Sequence, residues 1–271
     1  MKSRVVIWVI SFGCMLIIGA CATSPTGRSQ LQLFSPQQLA HMGKVSYEEI
    51  SRKNKIEESR EVNRYVNCIV REISSALPDP AGNQKWEVTV FDQDDAVNAF
   101  ALPGGYIGIY TGLLQVAETP DQLAAVVGHE IAHVTADHPN ARLSTQFATK
   151  TGLQVIDTFL QGQTGGTGNQ IMALLGVGSQ VGVLLPFSRA QEKEADILGL
   201  EYMARAGFDP RQSIDLWQNM AKAGGKSPPD FLSTHPSEHS RIETLKKNLD
   251  QAMQLFNKAR RQGRIPQCKI N

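Results

Sequence analysis

Three residues near the middle of the chain, His129, Glu130 and His133, have the types and spacing of a metal site with a base beside it. They lie in the stretch A-V-V-G-H-E-I-A-H-V-T-A, which is typical of one helix. Histidines four residues apart are separated by about 40° around a helix, so both imidazoles leave from one face, one turn apart. Such a pair can bind one Zn²⁺, and Glu130, about 100° round from His129, can act on water at the metal without being a ligand.

The pattern H-E-x-x-H is the signature of zinc peptidases, in which the Glu is the general base. It also arises in unrelated helices, and the alternative is two solvated histidines on an amphipathic helix. A catalytic zinc site has three protein ligands and one open position for water. The two histidines therefore require a third ligand elsewhere in the chain.

The candidate third ligand lies in P-F-S-R-A-Q-E-K-E-A-D, residues 186–196. Ser188 followed by Gln191 predicts a capping box at a helix start. Glu192 and Asp196 are then four residues apart on one helix face. One carboxylate can bind the metal, and the other can accept a hydrogen bond from a ligand histidine and fix its tautomer. The alternative is a solvated helix start, where the helix dipole favours acidic residues.

Taken together, H-E-I-A-H at 129–133 and S-R-A-Q-E-K-E-A-D at 188–196 resemble the HtpX-like and BepA-like zinc peptidases. These are gluzincins whose second motif reads S-R-x-x-E-x-x-A-D. The segment V-N-A-F-A-L-P-G-G-Y-I-G-I-Y-T-G-L-L also resembles the strand region before their active-site helix, and the resemblance extends over about residues 35–255. It implies a zinc metalloendopeptidase with one Zn²⁺ per chain and these ligands: His129, His133 and Glu192.

The resemblance also implies roles for residues around the metal. Asp196 would support a ligand histidine, and Glu130 would be the catalytic base. BepA-like members carry a T-H-P-x-x-x-x-R segment whose His can occupy the open zinc position and hold the enzyme latent, a role that falls on His235. Alternatively, His235 donates to the tetrahedral intermediate or caps the last helix. Arg241 is a further candidate donor to the oxyanion.

The expected substrates are proteins, namely misfolded or misassembled proteins of a bacterial envelope. A peptide bound in extended form could add a strand to a sheet edge at Asn98, Ala99 and Phe100, although this segment could be only structural. Two other classes remain open: a chaperone or assembly lipoprotein with a latent metal site, and a zinc hydrolase of a non-peptide, cell-wall amide. A general base at Glu130 disfavours the first class, because a structural metal site needs none.

The remaining pattern predicts an α+β fold, a mainly helical zincin-type domain over residues 35–262 with a small β-hairpin beside the motif helix. Strand patterns at 86–91, 97–102 and 106–110 precede that helix, and Pro103-Gly104-Gly105 predicts the hairpin turn. Helical patterns cover 35–53, 57–76, 120–136, 139–161, 169–184, 188–206, 210–223 and 237–261. The Gly-rich stretch 161–168 is a candidate lid or an exposed loop.

The N-terminus has the features of a lipoprotein signal peptide over residues 1–20. Lys2 and Arg4 precede an apolar run, and Ile-Gly-Ala-Cys resembles the bacterial lipobox, in which Cys21 is acylated. The polar residues 21–34 are expected to form a tether. The expected location is the periplasm, with a lipid anchor in the outer membrane; an uncleaved membrane anchor is the alternative.

Charge and cysteine content limit the possible partners. The formal net charge of +1 over 271 residues gives no reason to expect nucleic acid as a partner. Apart from the N-terminal cysteines, the chain has Cys68 and Cys268, the latter in an expected tail over 263–271. In an oxidising compartment these two could form a disulfide, or both could be free thiols.

Overall fold

A computed structural model describes residues 21–78, 84–147, 187–223, 230–235 and 240–270. Over these ranges the predicted α+β class is confirmed, with a mainly helical body and a small sheet just before the motif helix. The predicted helix 169–184, the Gly-rich stretch 161–168 and the leader 1–20 lie outside the described residues. In the part of the chain that the structure describes, no helix has the length and apolar character needed to cross a membrane.

The segment expected to be a tether is folded onto the body. Strand β1 (Cys21–Thr23) pairs antiparallel with β2 (Ser29–Leu31), and residues 21–31 are called the N-terminal hairpin below. Gln30 and Phe34 are buried. Each strand has only three residues, which is too short for an alternating pattern to be visible in the sequence.

The first two helices lie within the predicted helical ranges 35–53 and 57–76. Helix α1 (Pro36–Lys53) starts with a capping box, in which Ser35 and Gln38 each accept a hydrogen bond from the other's backbone N–H. Helix α2 (Arg60–Ser74) turns one apolar face inward. That face consists of Tyr65, Val66, Ile69, Val70 and Ile73.

A three-stranded sheet separates two apolar clusters. It contains β3 (Glu87–Phe91), β4 (Ala99–Leu102) and β5 (Tyr106–Tyr110) in the order β3-β5-β4. Strands β4 and β5 form the predicted hairpin, whose turn places Gly104 at φ 94°, a conformation that favours glycine. Strand β3 pairs parallel to β5. Strand β4 is therefore an edge of the sheet.

The chain continues as α3 (Thr111–Val116), α4 (Pro120–Thr135), α5 (His138–Phe147), α6 (Arg189–Arg205), α7 (Gln212–Ala223), α8 (Asp230–Thr234) and α9 (Ser240–Arg261). The motif helix α4 is central. Thr119 caps it, Pro120 takes its first position, and every residue from 122 to 133 is buried. It packs against α2, α6, α7 and β4, so the body holds the motif in place from several sides.

A disulfide joins Cys68 in α2 to Cys268, with the two Cα atoms 5.5 Å apart. Cys268 is buried, so the segment expected to be a tail is fixed to the body. The bridge spans 200 residues of chain. In the chain-entropy model, closing such a loop lowers the conformational entropy of the unfolded chain and so stabilises the folded protein by about 5 kcal/mol. Strain in the folded protein can reduce this stabilisation.

We expect reduction of this bridge to lower the free energy of unfolding by about 2–5 kcal/mol, measured by urea denaturation with and without a reductant. The double variant Cys68→Ala/Cys268→Ala is the matched control, because its unfolding should not respond to the reductant. A wild-type unfolding curve that does not change with reductant would contradict a stabilising bridge.

Candidate metal centre

Four buried side chains converge at the middle of the fold: His129 and His133 from α4, Glu192 from the first turn of α6, and His235 just after α8. Their candidate ligand atoms all lie within 4.8 Å of one another. Each residue is 1–4% exposed. The alternatives of solvated histidines on α4 and a solvated acidic start of α6 are therefore wrong.

The spacing of the ligand atoms fits zinc. Nε2 of His129 lies 3.1 Å from Nε2 of His133 and 3.4 Å from Oε2 of Glu192. Nδ1 of His235 lies 3.3 Å from Nε2 of His129 and 3.0 Å from Oε1 of Glu192. A tetrahedron with metal–ligand distances of about 2.0–2.1 Å has edges of about 3.3–3.4 Å. Three nitrogens and a carboxylate at these separations are a suitable donor set for Zn²⁺.

Glu130 stands beside the cluster, and one of its oxygens is fixed. Its Oε2 accepts a hydrogen bond of 3.2 Å from the backbone N–H of Ala101 in β4. Its Oε1 makes no hydrogen bond in the structure and lies 3.4 Å from Nε2 of His235. The carboxylate therefore has one oxygen that positions it and one that is available to take a proton.

A second layer of charge supports the ligands from behind. Nδ1 of His129 lies 3.0 Å from Oδ1 of Asp196, as predicted for a supporting carboxylate. Arg241 donates from Nε to Asp196 at 2.7 Å and from Nη2 to Glu192, and its guanidinium lies over the ring of Trp217. Two of the three guanidinium nitrogens of Arg241 therefore bind carboxylates. Nη1 is buried and has no hydrogen-bond partner among the described residues, so it is the atom left for the predicted oxyanion role.

The ligands meet because α4 and α6 cross at two glycines. A Cβ on Gly128 would lie 2.8 Å from the carbonyl oxygen of Gly199, and a Cβ on Gly199 would lie 2.7 Å from the backbone N of His129. No other residue type allows the backbones to approach this closely. The contact lies next to His129, so it sets the distance between the histidine pair and Glu192.

His235 is held in the cluster by the short helix α8. The ring of Phe231 stacks on that of His235, with centroids 4.6 Å apart. The backbone N–H of Phe231 donates to the carbonyl oxygen of Val97 at 3.1 Å, beside the edge strand β4. Helix α8 thus covers the start of the segment Asn98–Phe100 that was expected to bind substrate, and Ala99 and Phe100 are buried.

Burial and neighbouring charges shift the pKa values of the site in different directions. Burial lowers the pKa of His133 well below its ordinary value. Burial also acts to lower the pKa of His129, but Asp196 and Glu192 outweigh it and raise that pKa to about 9. Burial raises the pKa of Glu130, with nearby histidine charges offsetting part of the effect. A raised pKa suits a carboxylate that must take a proton from water and return it.

Sequence reasoning missed two residues of the site. His138 is fully buried, and its Nδ1 lies 3.0 Å from Nδ1 of His133. Glu194 lies 3.1 Å from the other ring nitrogen of His138. The available signals were a histidine five positions after His133 and a second Glu two positions after Glu192. The side chain of Cys21 lies outside the described part, so its acylation stays a prediction.

Comparison with known proteins places this site in a family. The model of peptidase family M48 matches residues 59–249. The mitochondrial metalloendopeptidase OMA1 of Saccharomyces cerevisiae is 33% identical over 206 residues, which are 71% of this chain and 57% of the relative. The mitochondrial metalloendopeptidase OMA1 of Bos taurus is 32% identical over 273 residues, 94% of this chain and 51% of the relative. The beta-barrel assembly-enhancing protease of Escherichia coli is 30% identical over 164 residues, 58% and 33% respectively.

These matches correct one expectation. The predicted periplasmic location, with a lipid anchor in the outer membrane, is wrong, because the relatives matched over the larger share of the chain bear mitochondrial names. The prediction rested on the charge and hydropathy before Cys21 and on the resemblance of Ile-Gly-Ala-Cys to a lipobox. A match over four residues is too short to specify a compartment. The bacterial lipoprotein branch of the resemblance is likewise not supported.

This chain spans about half the length of the OMA1 relatives that it matches. The family model covers more than half of the chain and includes both H-E-I-A-H and the second motif. The chain therefore belongs to peptidase family M48, which confirms the predicted zinc metallopeptidase family and supports Zn²⁺ as its cofactor.

Proposed function

We propose that the protein is a zinc-dependent endopeptidase that cleaves misfolded or misassembled proteins as extended chains. The observation that carries this proposal is the placement of Glu130. It is buried beside four side chains that could bind zinc without being one of them, and its Oε1 has no hydrogen-bond partner within the described part of the chain. A site that served only structure would gain nothing from a buried carboxylate in this position, which is costly to desolvate.

The residues around the metal divide the reaction between them. Zinc, when bound, polarises the scissile carbonyl group and lowers the pKa of the attacking water. Glu130 takes the proton of that water on Oε1 and returns it to the amine of the leaving peptide. The hydrogen bond from Ala101 to Oε2 keeps the carboxylate turned toward the site throughout. Arg241 Nη1 is the candidate donor to the oxyanion.

Substrate would bind along β4. This strand is an edge of the sheet and lies against α4, so a peptide added there would pass the metal centre. An extended segment is available in an unfolded protein but not in a folded one, since folded proteins pair or protect their strand edges. The edge thus favours unfolded or incompletely assembled proteins as substrates.

The test is digestion of an unfolded protein such as casein by the purified full chain, with and without a metal chelator. Cleavage that stops with chelator and returns on addition of Zn²⁺ supports the proposal. A zinc-loaded protein that cleaves no polypeptide would overturn it and favour either an assembly factor or a hydrolase of non-peptide amides.

The position of His235 supports a resting state in which the enzyme is inactive. Its Nδ1 lies among the ligand atoms, where it completes a fourth coordination position, and its Nε2 faces the oxygen of Glu130 that must take the proton. One side chain therefore blocks both the open position that catalysis needs and the base. Opening requires α8 to release Val97, which lies just before β4, and would therefore also free the approach to this edge strand.

We expect His235→Ala to raise the rate of casein cleavage by at least about 5-fold, the gain from removing a closed state favoured by about 1 kcal/mol. Zinc content should hold, because His129, His133 and Glu192 remain. Ser233→Ala, at an exposed position of α8 just before His235, is the matched control and should cleave at the wild-type rate. If His235→Ala is as inactive as a variant of the base, His235 takes part in catalysis and the latch is refuted.

A further inference from the structure

A chain of hydrogen bonds leads from the ligand His133 to the N-terminal hairpin. Nδ1 of His133 lies 3.0 Å from Nδ1 of His138, whose Nε2 lies 3.1 Å from Oε2 of Glu194. Glu194 accepts hydrogen bonds from the backbone N–H and the hydroxyl of Thr26, at 3.2 and 2.7 Å, and from Nε of Arg28 at 2.9 Å. His138 and Glu194 are both buried.

The metal bound to His133 at one end of this series and the carboxylate of Glu194 at the other set the direction of each hydrogen bond. When His133 binds the metal through Nε2, its remaining ring proton is on Nδ1, so it donates to His138. His138 then accepts at Nδ1 and carries its own proton on Nε2, which it donates to Glu194. A carboxylate only accepts, and Glu194 receives the remaining donors from Thr26 and Arg28. Every polar atom in this buried series thus has a defined partner.

The hairpin also fixes the end of the motif helix. The side-chain amide of Gln30 donates to the carbonyl oxygen of Ala136 at 2.9 Å, and Arg28 donates from Nη2 to the oxygen of the same amide at 2.7 Å. Ala136 is the C-cap of α4, directly after its last residue. The carbonyl groups in the last turn of a helix have no partner within it, so Gln30 satisfies one of them.

The two ligand histidines are therefore supported in different ways. His129 is backed directly by Asp196 on α6. His133 is backed through His138 by Glu194, which lies on α6 but depends on the hairpin for three of its hydrogen bonds. Partners behind a ligand histidine fix its tautomer and ring orientation, and their loss typically weakens metal binding by about 10–100-fold.

The geometry points to the N-terminal hairpin as a working part of the metal centre: Thr26 and Arg28 hold Glu194, and Glu194 positions His133 for zinc through His138. This inference rests on the proposed function, because it takes zinc as the ligand of His133. Glu194 and His138 are positioning residues, since they act through His133 and not on the substrate.

The test measures the zinc dissociation constant of the full chain by competition with a chromogenic chelator, and the absorption spectrum of the Co²⁺-substituted protein. We expect Glu194→Gln to bind zinc about 10–100-fold more weakly and to shift the Co²⁺ bands. The double variant Thr26→Val/Arg28→Gln, which leaves α6 unchanged, should give a smaller loss in the same direction. Asp121→Asn is the matched control, because it alters a carboxylate that accepts from the backbone N–H of Asp209 at the opposite end of α4.

Zinc binding and Co²⁺ bands that match the wild type in Glu194→Gln would overturn the inference. If Glu194→Gln does not fold, the double variant Thr26→Val/Arg28→Gln is the test. Zinc binding and Co²⁺ bands that match the wild type in this variant would likewise overturn the inference. Weakening of zinc binding to the same degree by Asp121→Asn would also overturn it, because the effect would then follow general destabilisation. Failure of the wild-type chain to bind zinc or cleave casein would instead refute the proposed function, so the two failures are distinguishable.

Discussion

Glu130→Gln should retain about one zinc per chain but lose activity toward an unfolded protein by about 10²–10⁴-fold. Glutamine has the same shape and can still accept the hydrogen bond from Ala101, so the strand and helix should stay in place. It cannot take a proton from water at neutral pH. The measurements are zinc content by elemental analysis and kcat/KM for casein. Activity near the wild-type value would show that Glu130 is not the base.

Glu192→Gln gives the matched contrast. This change removes a ligand charge, and we expect the purified protein to lose most of its zinc together with its activity. Glu192 also pairs with the buried Arg241, so a loss of stability should accompany the loss of zinc. The comparison should therefore be made at a temperature where circular dichroism shows both variants to be folded. Full zinc retention in Glu192→Gln would contradict its assignment as a ligand.

The sequence signals that predict the centre of the candidate site are local. The spacing of His129 and His133, and that of Glu192 and Asp196, follow from the helical period alone. The capping pattern at Ser188 placed the start of α6 correctly, because the cap is made between residues three apart. The helical period cannot show that the motifs at 129–133 and 188–196 meet in space. The resemblance to the zinc peptidases predicted that they do.

The features that were missed depend on tertiary contacts. Glu194 and His138 are 56 positions apart, and neither stands out in its own helix. The parallel pairing of β3 with β5 depends on how the sheet assembles, which the alternation within one strand does not determine. The hairpin at 21–31 is polar and short, and it is stabilised by the packing of β2 against α5 and by hydrogen bonds to Glu194.

The crossing of α4 and α6 connects the fold to the chemistry most directly. In α6, Gly199 is exceptional because its neighbours across the contact are backbone atoms of Gly128 and His129. A backbone atom cannot rotate out of the way as the end of a side chain can. Any added atom at this point must separate the two helices and move Glu192 and Asp196 away from the histidine pair.

We therefore expect Gly199→Ala to lower kcat/KM by about 10²-fold, the typical effect of a shift of about 1 Å in a catalytic arrangement, and to weaken zinc binding. Helix propensity alone would make alanine more stable by about 1 kcal/mol, whereas overpacking costs about 1–3 kcal/mol, so the melting temperature should fall. Lys193→Ala, at an exposed position of the same helix, should leave all three quantities unchanged. A Gly199→Ala protein with a higher melting temperature and wild-type activity would show that the glycine contact does not set the geometry of the metal centre.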